Sequence, residues 1–266
     1  MDLPAADSQP AAASAATPVV QALDLRRRFG EVMAVDGVSF EIAAGETFAL
    51  IGPNGAGKST VMKMLTTMLP PTSGRAIVAG FDVAREPRQV RAHIGYVPQL
   101  LSADGELTGQ ENMLLSARLF LIPRAQRAAK IDAALKMMGL TEAKDRLVHT
   151  YSGGMARRLE IAQSTLHRPA VLFMDEPTVG LDPDGRRAVW RHVRSLRDEI
   201  GAAVVFSTHY MDEAEEICDR IALISAGKLA ALGSPAELKA RQGPEATLDD
   251  VFTELTGQGI AKGAAR

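Results

Sequence analysis

One segment near the start of the chain constrains the fold most, because an apolar strand runs into a glycine-rich turn and then into a helix. The strand is predicted over Thr47–Ile51, and apolar residues recur at helical spacing over residues 59–69. The turn between them reads Gly52, Pro53, Asn54, Gly55, Ala56, Gly57, Lys58, Ser59 and Thr60. This order of strand, glycine-rich loop and helix predicts a phosphate-binding loop in an α/β fold.

The chemistry of this loop follows from its residue types. Glycines let backbone N–H groups converge on phosphate oxygens, and the N-terminus of the following helix adds a favourable partial charge. Lys58 can reach the outer phosphates, and the Ser59 hydroxyl can ligate magnesium. The alternative interpretation is a tight glycine turn with an exposed lysine, and the flanking strand and helix argue against it.

A second constellation lies at residues 171–176, where four apolar residues are followed by two adjacent carboxylates. An almost wholly apolar strand is typical of a parallel sheet that is covered on both faces. The carboxyl end of such a strand would release Asp175 and Glu176 beside the phosphate-binding loop. We expect Asp175 to hold magnesium through its water shell, and Glu176 to orient or deprotonate a nucleophilic water. Two solvated acids at a strand end are the simpler alternative, which the phosphate-binding loop disfavours.

Composition and charge argue against several classes of protein. Thirty basic and 32 acidic residues give a net charge of -2, so a strongly cationic nucleic-acid binder is not expected. The single cysteine, Cys218, cannot form an intramolecular disulfide, and a reducing, cytosolic compartment fits best. The apolar runs are far shorter than the ~20 residues that cross a bilayer. Residues 1–18 are rich in Ala, Pro and Ser and are predicted to be a disordered tail.

Short strand patterns recur along the chain. The earliest alternate between apolar and polar residues, as antiparallel strands do, whereas those at 171–174 and 203–207 are almost wholly apolar. Predicted strands cover residues 19–26, 38–42, 47–51, 76–78, 94–97, 171–174, 203–207 and 221–225. The pattern predicts a mixed sheet with an antiparallel β edge subdomain.

Helical patterns dominate the middle of the chain and its end. Predicted helices cover residues 59–69, 110–121, 124–138, 155–166, 186–200, 236–241 and 248–255. Pro70 and Pro71 are expected to end the first of them. The group between about 100 and 165 indicates an inserted α-helical subdomain. The expected fold class is therefore α/β, a P-loop NTPase core over residues 19–226, followed by a short C-terminal helical extension over 227–266.

These features leave GTPases, small-molecule kinases and several motor ATPases open. A GTPase would need an Asn-Lys-x-Asp base reader, and the chain has no Asn-Lys pair. A further motif, Tyr151-Ser152-Gly153-Gly154-Met155, supplies a second anion-receiving turn at the start of a basic helix. One ATP molecule does not need two such turns from one chain.

With these motifs, residues 19–226 resemble the ATP-binding cassette family, whose ATPase domains pair head to tail. In that family the signature loop of one protomer covers the γ-phosphate held by the other, a role that falls here on Ser152, Gly153 and Gly154. The resemblance implies that Gln99 senses magnesium and faces the membrane partner. It also implies that His209 is the switch histidine that contacts the γ-phosphate.

Two further roles follow from the resemblance. Phe29 is placed to stack on adenine, although a buried edge phenylalanine would give the same pattern. Asp182 belongs to a loop that contacts the paired domain. The signature departs from the family pattern at Tyr151 and Met155, where leucine and glutamine are usual. The implied catalytic residues are Lys58, Gln99, Glu176 and His209, and the implied metal ligands are Ser59, Gln99 and Asp175.

The resemblance implies the ATP-binding and hydrolysing subunit that energises a separate multi-span permease, with ATP and Mg²⁺ as cofactors. The permease would dock on the helical subdomain and the Gln99 loop, at the cytoplasmic face of the plasma (inner) membrane. The ATPase partner would be a second copy or a similar chain. The signature and the runs at 208–214 and 248–257 resemble drug-resistance and nodulation-type exporters, which favours export of an apolar drug, lipid or polysaccharide.

Two other functions stay open at this point. A soluble cassette ATPase that remodels a cytosolic complex is usually marked by tandem cassettes, a long coiled-coil insertion or a basic face, and the sequence has none of these. A non-hydrolysing regulatory module would carry a degenerate site. The presence of Lys58, Asp175, Glu176 and His209 together argues against that module.

Overall fold

Strands and helices interleave along residues 17–243 and 246–256, the part of the chain described by a computed structural model. The strands are β1 (Val20–Phe29), β2 (Val32–Ile42), β3 (Thr47–Ile51), β4 (Ser73–Val78), β5 (Phe81–Asp82), β6 (Ile94–Val97), β7 (Val171–Asp175), β8 (Ala203–Thr208), β9 (Arg220–Ser225) and β10 (Lys228–Gly233). The helices are α1 (Lys58–Leu65), α2 (Pro87–His93), α3 (Gly109–Leu119), α4 (Arg124–Met137), α5 (Gly153–Thr165), α6 (Pro183–Ile200), α7 (Met211–Ile217), α8 (Pro235–Ala240) and α9 (Leu248–Thr256). Two single 3-10 turns, Thr141–Ala143 and Val148–Thr150, precede α5.

The strands form two sheets. The main sheet has six strands in the order β10-β9-β3-β8-β7-β6, in which β10 is antiparallel to β9 and the other neighbours are parallel. The second sheet has the order β2-β1-β4-β5 and is antiparallel throughout. The mixed α/β architecture is therefore confirmed, and the predicted antiparallel β edge forms a sheet of its own, β2-β1-β4-β5.

The main sheet is covered on both faces, which explains its apolar strands. Successive side chains of a strand point to opposite faces. Phe48 and Leu50 of β3 pack in a cluster with the antiparallel sheet and α1, whereas Ala49 and Ile51 pack in a second cluster with α3 to α6. With both faces covered, every residue of β3 is buried.

The register of the main sheet brings three chain segments to one edge. Ile51 at the end of β3 pairs with Thr208 at the end of β8, and Asp175 at the end of β7 pairs with Ser207. The segments that follow these strands therefore emerge side by side. They are the glycine-rich loop, Glu176 and His209.

The predicted helical insertion lies between β6 and β7. Its helices α3, α4 and α5 start and end within two residues of the predicted bounds. Helix α3 begins with a capping box, in which the Thr108 hydroxyl accepts from the Glu111 N–H and the Glu111 carboxylate accepts from the Thr108 N–H. Such a start signal fixes where the helix begins.

The first helix ends earlier than expected. Pro70 and Pro71 were expected to end it, whereas α1 ends at Leu65. Thr67 has a left-handed backbone with φ 63°, and the Thr66 hydroxyl donates to the Met62 carbonyl at 2.8 Å. A left-handed residue stops a helix, so the chain turns before it reaches the prolines.

Among the described residues, four strands and α-helices are absent from the sequence-based prediction. They are β5, α2, α7 and β10. Strand β10 corrects the prediction that residues 227–266 are helical, because Lys228–Gly233 forms a hairpin with β9. Most of the predicted tail at 1–18 and the end of the chain beyond residue 256 lie outside the described residues.

Candidate active site

The glycine-rich loop between β3 and α1 can form only with glycine at two positions. A Cβ atom on Gly52 would lie 2.1 Å from the Ile224 carbonyl oxygen, and one on Gly57 would lie 2.6 Å from the Ala34 carbonyl oxygen. Gly57 also has φ 107°, a conformation that residues with a side chain rarely adopt. The packing of this loop against neighbouring backbone leaves no room for a side chain at Gly52 or Gly57, and a tight glycine-rich loop of this kind suits a phosphate.

Lys58 is the cation of this cradle, and it is buried. Its ammonium donates to the carbonyl oxygens of Gly52 at 2.7 Å and Pro53 at 3.2 Å, and it lies 3.4 Å from Oε1 of Glu176. A buried ammonium held by the loop's own carbonyls stands where a phosphate anion would need it. This geometry fits a nucleotide triphosphate.

Ser59 and Asp175 bring two oxygen ligands together. The Ser59 hydroxyl donates to Oδ1 of Asp175 at 3.1 Å, and the Ser207 hydroxyl donates to the same oxygen. Burial of Tyr96 and, second, the negative charge of the nearby Asp175 raise the pKa of Tyr96 to about 12. A carboxylate beside a hydroxyl is a donor set that suits magnesium, so these residues fit the predicted ion.

Glu176 and His209 form the third part of the site. Oε2 of Glu176 lies 2.9 Å from Nδ1 of His209. The Glu176 backbone is left-handed with φ 49°, and its N–H donates to the Ser207 carbonyl at 3.2 Å and hydroxyl at 3.0 Å. Such backbones are uncommon outside glycine and cluster at functional sites. The strained turn places the carboxylate between Lys58 and His209.

These contacts join the glycine-rich loop, through Lys58 and Ser59, to Asp175, Glu176 and His209 in one cluster. In the described part of the chain, no hydrogen bond or ion pair links the side chains of Gln99 or Phe29 to that cluster. Phe29 is 46% exposed, so it is not the buried edge residue of the alternative interpretation. The Arg27 guanidinium lies 4.7 Å from the centre of its ring.

The signature residues lie at a second cavity. The Ser152 hydroxyl accepts from the Met155 N–H at 3.3 Å and caps α5, with Gly153 and Gly154 as the first helical residues. Together with Gly180 and Asp182 they line a cavity of about 540 Å³. No residue of the glycine-rich loop lines it. The cavity at the signature residues is therefore separate from the glycine-rich loop.

Asp182 has a local role as well. Its carboxylate accepts from the Gly185 N–H at 2.9 Å and caps the start of α6. The unusual Tyr151 of the signature is explained by its hydroxyl, which donates to the Ala143 carbonyl at 2.7 Å. A leucine at this position would lose that hydrogen bond, and the carbonyl would keep its bond from the Arg146 N–H at 3.0 Å.

Sequence reasoning missed Ser207, which supports the site, and Glu213, which contacts Thr178 in the segment after Glu176. The Ser207 hydroxyl holds both Asp175 and the Glu176 N–H, and its signal is a hydroxyl residue near the end of an otherwise apolar strand. Glu213 is buried on α7 and accepts from the Thr178 hydroxyl at 2.8 Å. Burial raises the pKa of Glu213. Nothing in the sequence marks that carboxylate as buried.

The fold and the site together define a P-loop ATPase. Comparison with known proteins identifies the family of ATPases to which it is similar. The family model described as ABC transporter matches residues 35–179. The daunorubicin resistance ATP-binding protein DrrA3 of Streptomyces coeruleorubidus is 42% identical over 235 residues, which cover 88% of this chain and 74% of that protein. The linearmycin resistance ATP-binding protein LnrL of Bacillus subtilis is 37% identical over 243 residues, 91% of this chain and 76% of that protein.

Solved structures agree with this class. An ATP-binding subunit of an ABC transporter superposes with a TM-score of 0.79 at 28% identity, covering 89% of this chain and 99% of that one. CbiO1 of Clostridium perfringens, part of the ABC transporter complex cbiONQ, gives a TM-score of 0.76 at 29% identity, with coverage of 85% and 92%.

The chain belongs to the ABC transporter family. It is the ATP-binding and hydrolysing subunit that energises a separate membrane permease, and the alternative of a soluble remodelling ATPase is not favoured. Within residues 17–243 and 246–256, no helix combines the length and the apolar character needed to cross a membrane.

Proposed function

We propose that this chain, paired with a second copy or a similar ATPase, uses MgATP to drive export of an apolar drug, lipid or polysaccharide. It would act from the cytoplasmic face of the inner membrane. The contacts that join Lys58, Glu176 and His209 carry the catalytic part of this proposal. The names of the relatives, which refer to daunorubicin and linearmycin resistance, support export of a drug.

Different residues of the site bind the phosphates, the adenine and the magnesium ion of the nucleotide. Lys58 binds the outer phosphates, and Phe29 stacks on adenine through its exposed ring. Ser59, Asp175 and Gln99 would hold magnesium, which would supply positive charge that offsets the negative charge of the phosphates. The Ser207 hydroxyl keeps the Asp175 carboxylate in place.

Hydrolysis requires a base that faces the terminal phosphate. Glu176 orients a water molecule and takes its proton, because its carboxylate is held between Lys58 and His209. His209 orients that carboxylate and contacts the γ-phosphate. Both groups stand at the carboxyl edge of the main sheet, where the register of β7 and β8 brings them together.

Pairing of two chains completes each site. The signature cavity, lined by Ser152 to Gly154, is separate from the chain's own phosphate-binding loop. A head-to-tail pair would bring the signature of one chain onto the nucleotide of the other. The N-terminus of α5 would then supply N–H groups and a favourable partial charge to the γ-phosphate.

An apolar patch offers a docking surface for the permease. We define the docking patch as Leu100, Leu101, Leu119, Phe120 and Leu121, which are between 36% and 84% exposed. A cavity of about 190 Å³ lies between residues 98–102 and the end of α3, and Leu119 and Phe120 line it. Exposed apolar patches of this kind mark protein interfaces.

Replacing Leu119 and Leu121 with serine is expected to weaken binding of the chain to its permease. Truncating central apolar contacts costs about 2 kcal/mol or more, roughly a 30-fold loss of affinity. The measurement is the amount of multi-span polypeptide that copurifies with the chain from its own membranes in mild detergent. The matched control replaces Leu23 and Leu255, which are 42% and 47% exposed on other surfaces, with serine. Equal recovery with both pairs of variants would contradict docking at this patch.

A further inference from the structure

The segment that carries Gln99, residues 98–103, is held by two charged side chains of another element. It leaves the main sheet after β6, and the side chains of Leu100 and Leu101 project from it, 81% and 53% exposed. Its backbone is fixed on both sides of these leucines by Arg157 and Glu160, which lie on α5, the helix whose N-terminus is the signature loop.

Arg157 holds the first half of the segment. Its guanidinium donates to the Pro98 carbonyl at 2.6 Å and to the Gln99 carbonyl at 2.7 Å. The same guanidinium donates to Oε2 of Glu160 at 2.9 Å. Burial lowers the pKa of Arg157, and the charge of Glu160 acts in the opposite direction.

Glu160 holds the second half. Its Oε1 atom accepts from the N–H of Ser102, from the Ser102 hydroxyl at 2.9 Å and from the Ala103 N–H at 3.3 Å. The side chains of Arg157 and Glu160 are 4% and 2% exposed. Burial of both side chains strengthens these hydrogen bonds, and four of them join a charged group to a backbone N–H or carbonyl of the segment.

We propose that Arg157 and Glu160 are positioning residues that fasten the Gln99 segment to the signature helix, so that Gln99 and the signature loop move as one unit. We name this arrangement the α5 latch. The inference rests on the proposed function in one respect, the role of Gln99 toward magnesium. It adds a route by which a permease that contacts Leu100 and Leu101 acts on Ser152 at the start of α5.

The chemistry of the contacts distinguishes the α5 latch from an ordinary stabilising ion pair. A buried pair that served stability alone would be satisfied within α5, since Arg157 and Glu160 are three residues apart on one helix. Here most of the hydrogen bonds of Arg157 and Glu160 join them to the backbone of residues 98–103. Its geometry therefore determines where Gln99 stands.

The test replaces both residues at once. A single substitution would leave a buried charge without its partner and destabilise the chain, whereas an apolar pair of similar volume is often tolerated. The latch-free variant is Arg157→Met with Glu160→Met. The matched control is Gln163→Met, which removes the hydrogen bonds from α5 to Ser116 at 3.0 Å and to the Asn112 carbonyl at 3.2 Å. That control leaves residues 98–103 untouched.

Amide hydrogen exchange in the full chain gives the first result. The N–H groups of Ser102 and Ala103 are expected to exchange about tenfold faster in the latch-free variant, since they lose a buried acceptor. Their exchange in the Gln163→Met variant should stay at the parental rate. Unchanged exchange at Ser102 and Ala103 in the latch-free variant would overturn the proposal.

The Mg²⁺ concentration that gives half-maximal ATP hydrolysis gives the second result. It is expected to rise about tenfold in the latch-free variant, because partners that orient a ligand typically change metal affinity by 10- to 100-fold. In a Gln99→Ala background, removal of the latch should cause no further rise, since both changes act through one side chain. Additive rises would overturn positioning through Gln99. If Gln99→Ala alone had no effect, the magnesium role in the proposed function would fail, and the exchange result would still decide whether the latch exists.

Discussion

The substitution Glu176→Gln is expected to stop ATP hydrolysis, whereas ATP binding persists. Loss of a general base lowers the rate by about 100- to 10,000-fold. Glutamine keeps the size of the side chain but loses the charge that faces Lys58 at 3.4 Å and His209 at 2.9 Å. Without that negative charge beside the phosphates, the closed pair of chains should also persist, because less repulsion drives it apart.

Two measurements on the Glu176→Gln variant check this. Phosphate release gives the rate, and sedimentation velocity with MgATP should show a dimer that the parent forms only transiently. The control is Glu199→Gln, which removes a carboxylate that is 51% exposed on α6. The control should hydrolyse ATP as the parent does. Parental hydrolysis by the Glu176→Gln variant would contradict the role of this residue.

Alanine at Lys58 is expected to weaken nucleotide binding itself. The ammonium is buried and is held by the loop carbonyls, so its removal deletes the cation that the phosphates meet and leaves Glu176 without its ion pair. A hydrogen bond to a charged group contributes about 1.5–3 kcal/mol, which corresponds to roughly a 10- to 150-fold weaker Kd.

Calorimetric titration with a non-hydrolysable ATP analogue measures this change. The matched control is Lys63→Ala, which removes an exposed lysine from the same helix α1. We expect the control to bind as the parent does. Equal affinity of the Lys58→Ala variant and the parent would remove the basis for the phosphate-binding loop.

The main sheet and the chemistry at its edge are the parts that the sequence predicts best. Strand β3 matches its predicted bounds, and β7 and β8 match to within one residue, because strands buried on both faces need a continuous apolar run. The glycine-rich loop could also be predicted from the sequence, because Gly52 and Gly57 lie where any side chain would collide with backbone atoms.

Short elements at the surface were missed for a physical reason. Helix α2 buries only Val90, so it carries no apolar repeat that a sequence pattern could reveal. Helix α7 has seven residues, too few for its repeat to stand out against the acidic residues of its first turn. Strand β10 follows β9 after a two-residue turn, and pairing with β9 rather than local preference makes it a strand.

Contacts between residues far apart in the chain could not be predicted from the sequence, for a different reason. Arg157 and Glu160 have the spacing of an ordinary ion pair on a helix surface, and their burial depends on residues 98–103 lying across α5. The left-handed backbone of Glu176 is likewise set by its hydrogen bonds to Ser207 on the neighbouring strand. Both features follow from how separate elements meet.

The proposed head-to-tail pairing builds each ATP site from two chains. Mixing two inactive variants tests it directly. Lys58→Ala disables the phosphate-binding loop, and Gly153→Asp places a negative charge at the signature cavity. A mixed dimer then keeps one intact site, with the loop from the second variant and the signature from the first.

The measurement is ATP hydrolysis by an equimolar mixture after the chains have been allowed to exchange. Because half of the randomly paired dimers are mixed and each holds one intact site, the mixture should regain about a quarter of the parental rate. Each variant alone should remain inactive. A mixture as inactive as its components would contradict a site shared between two copies.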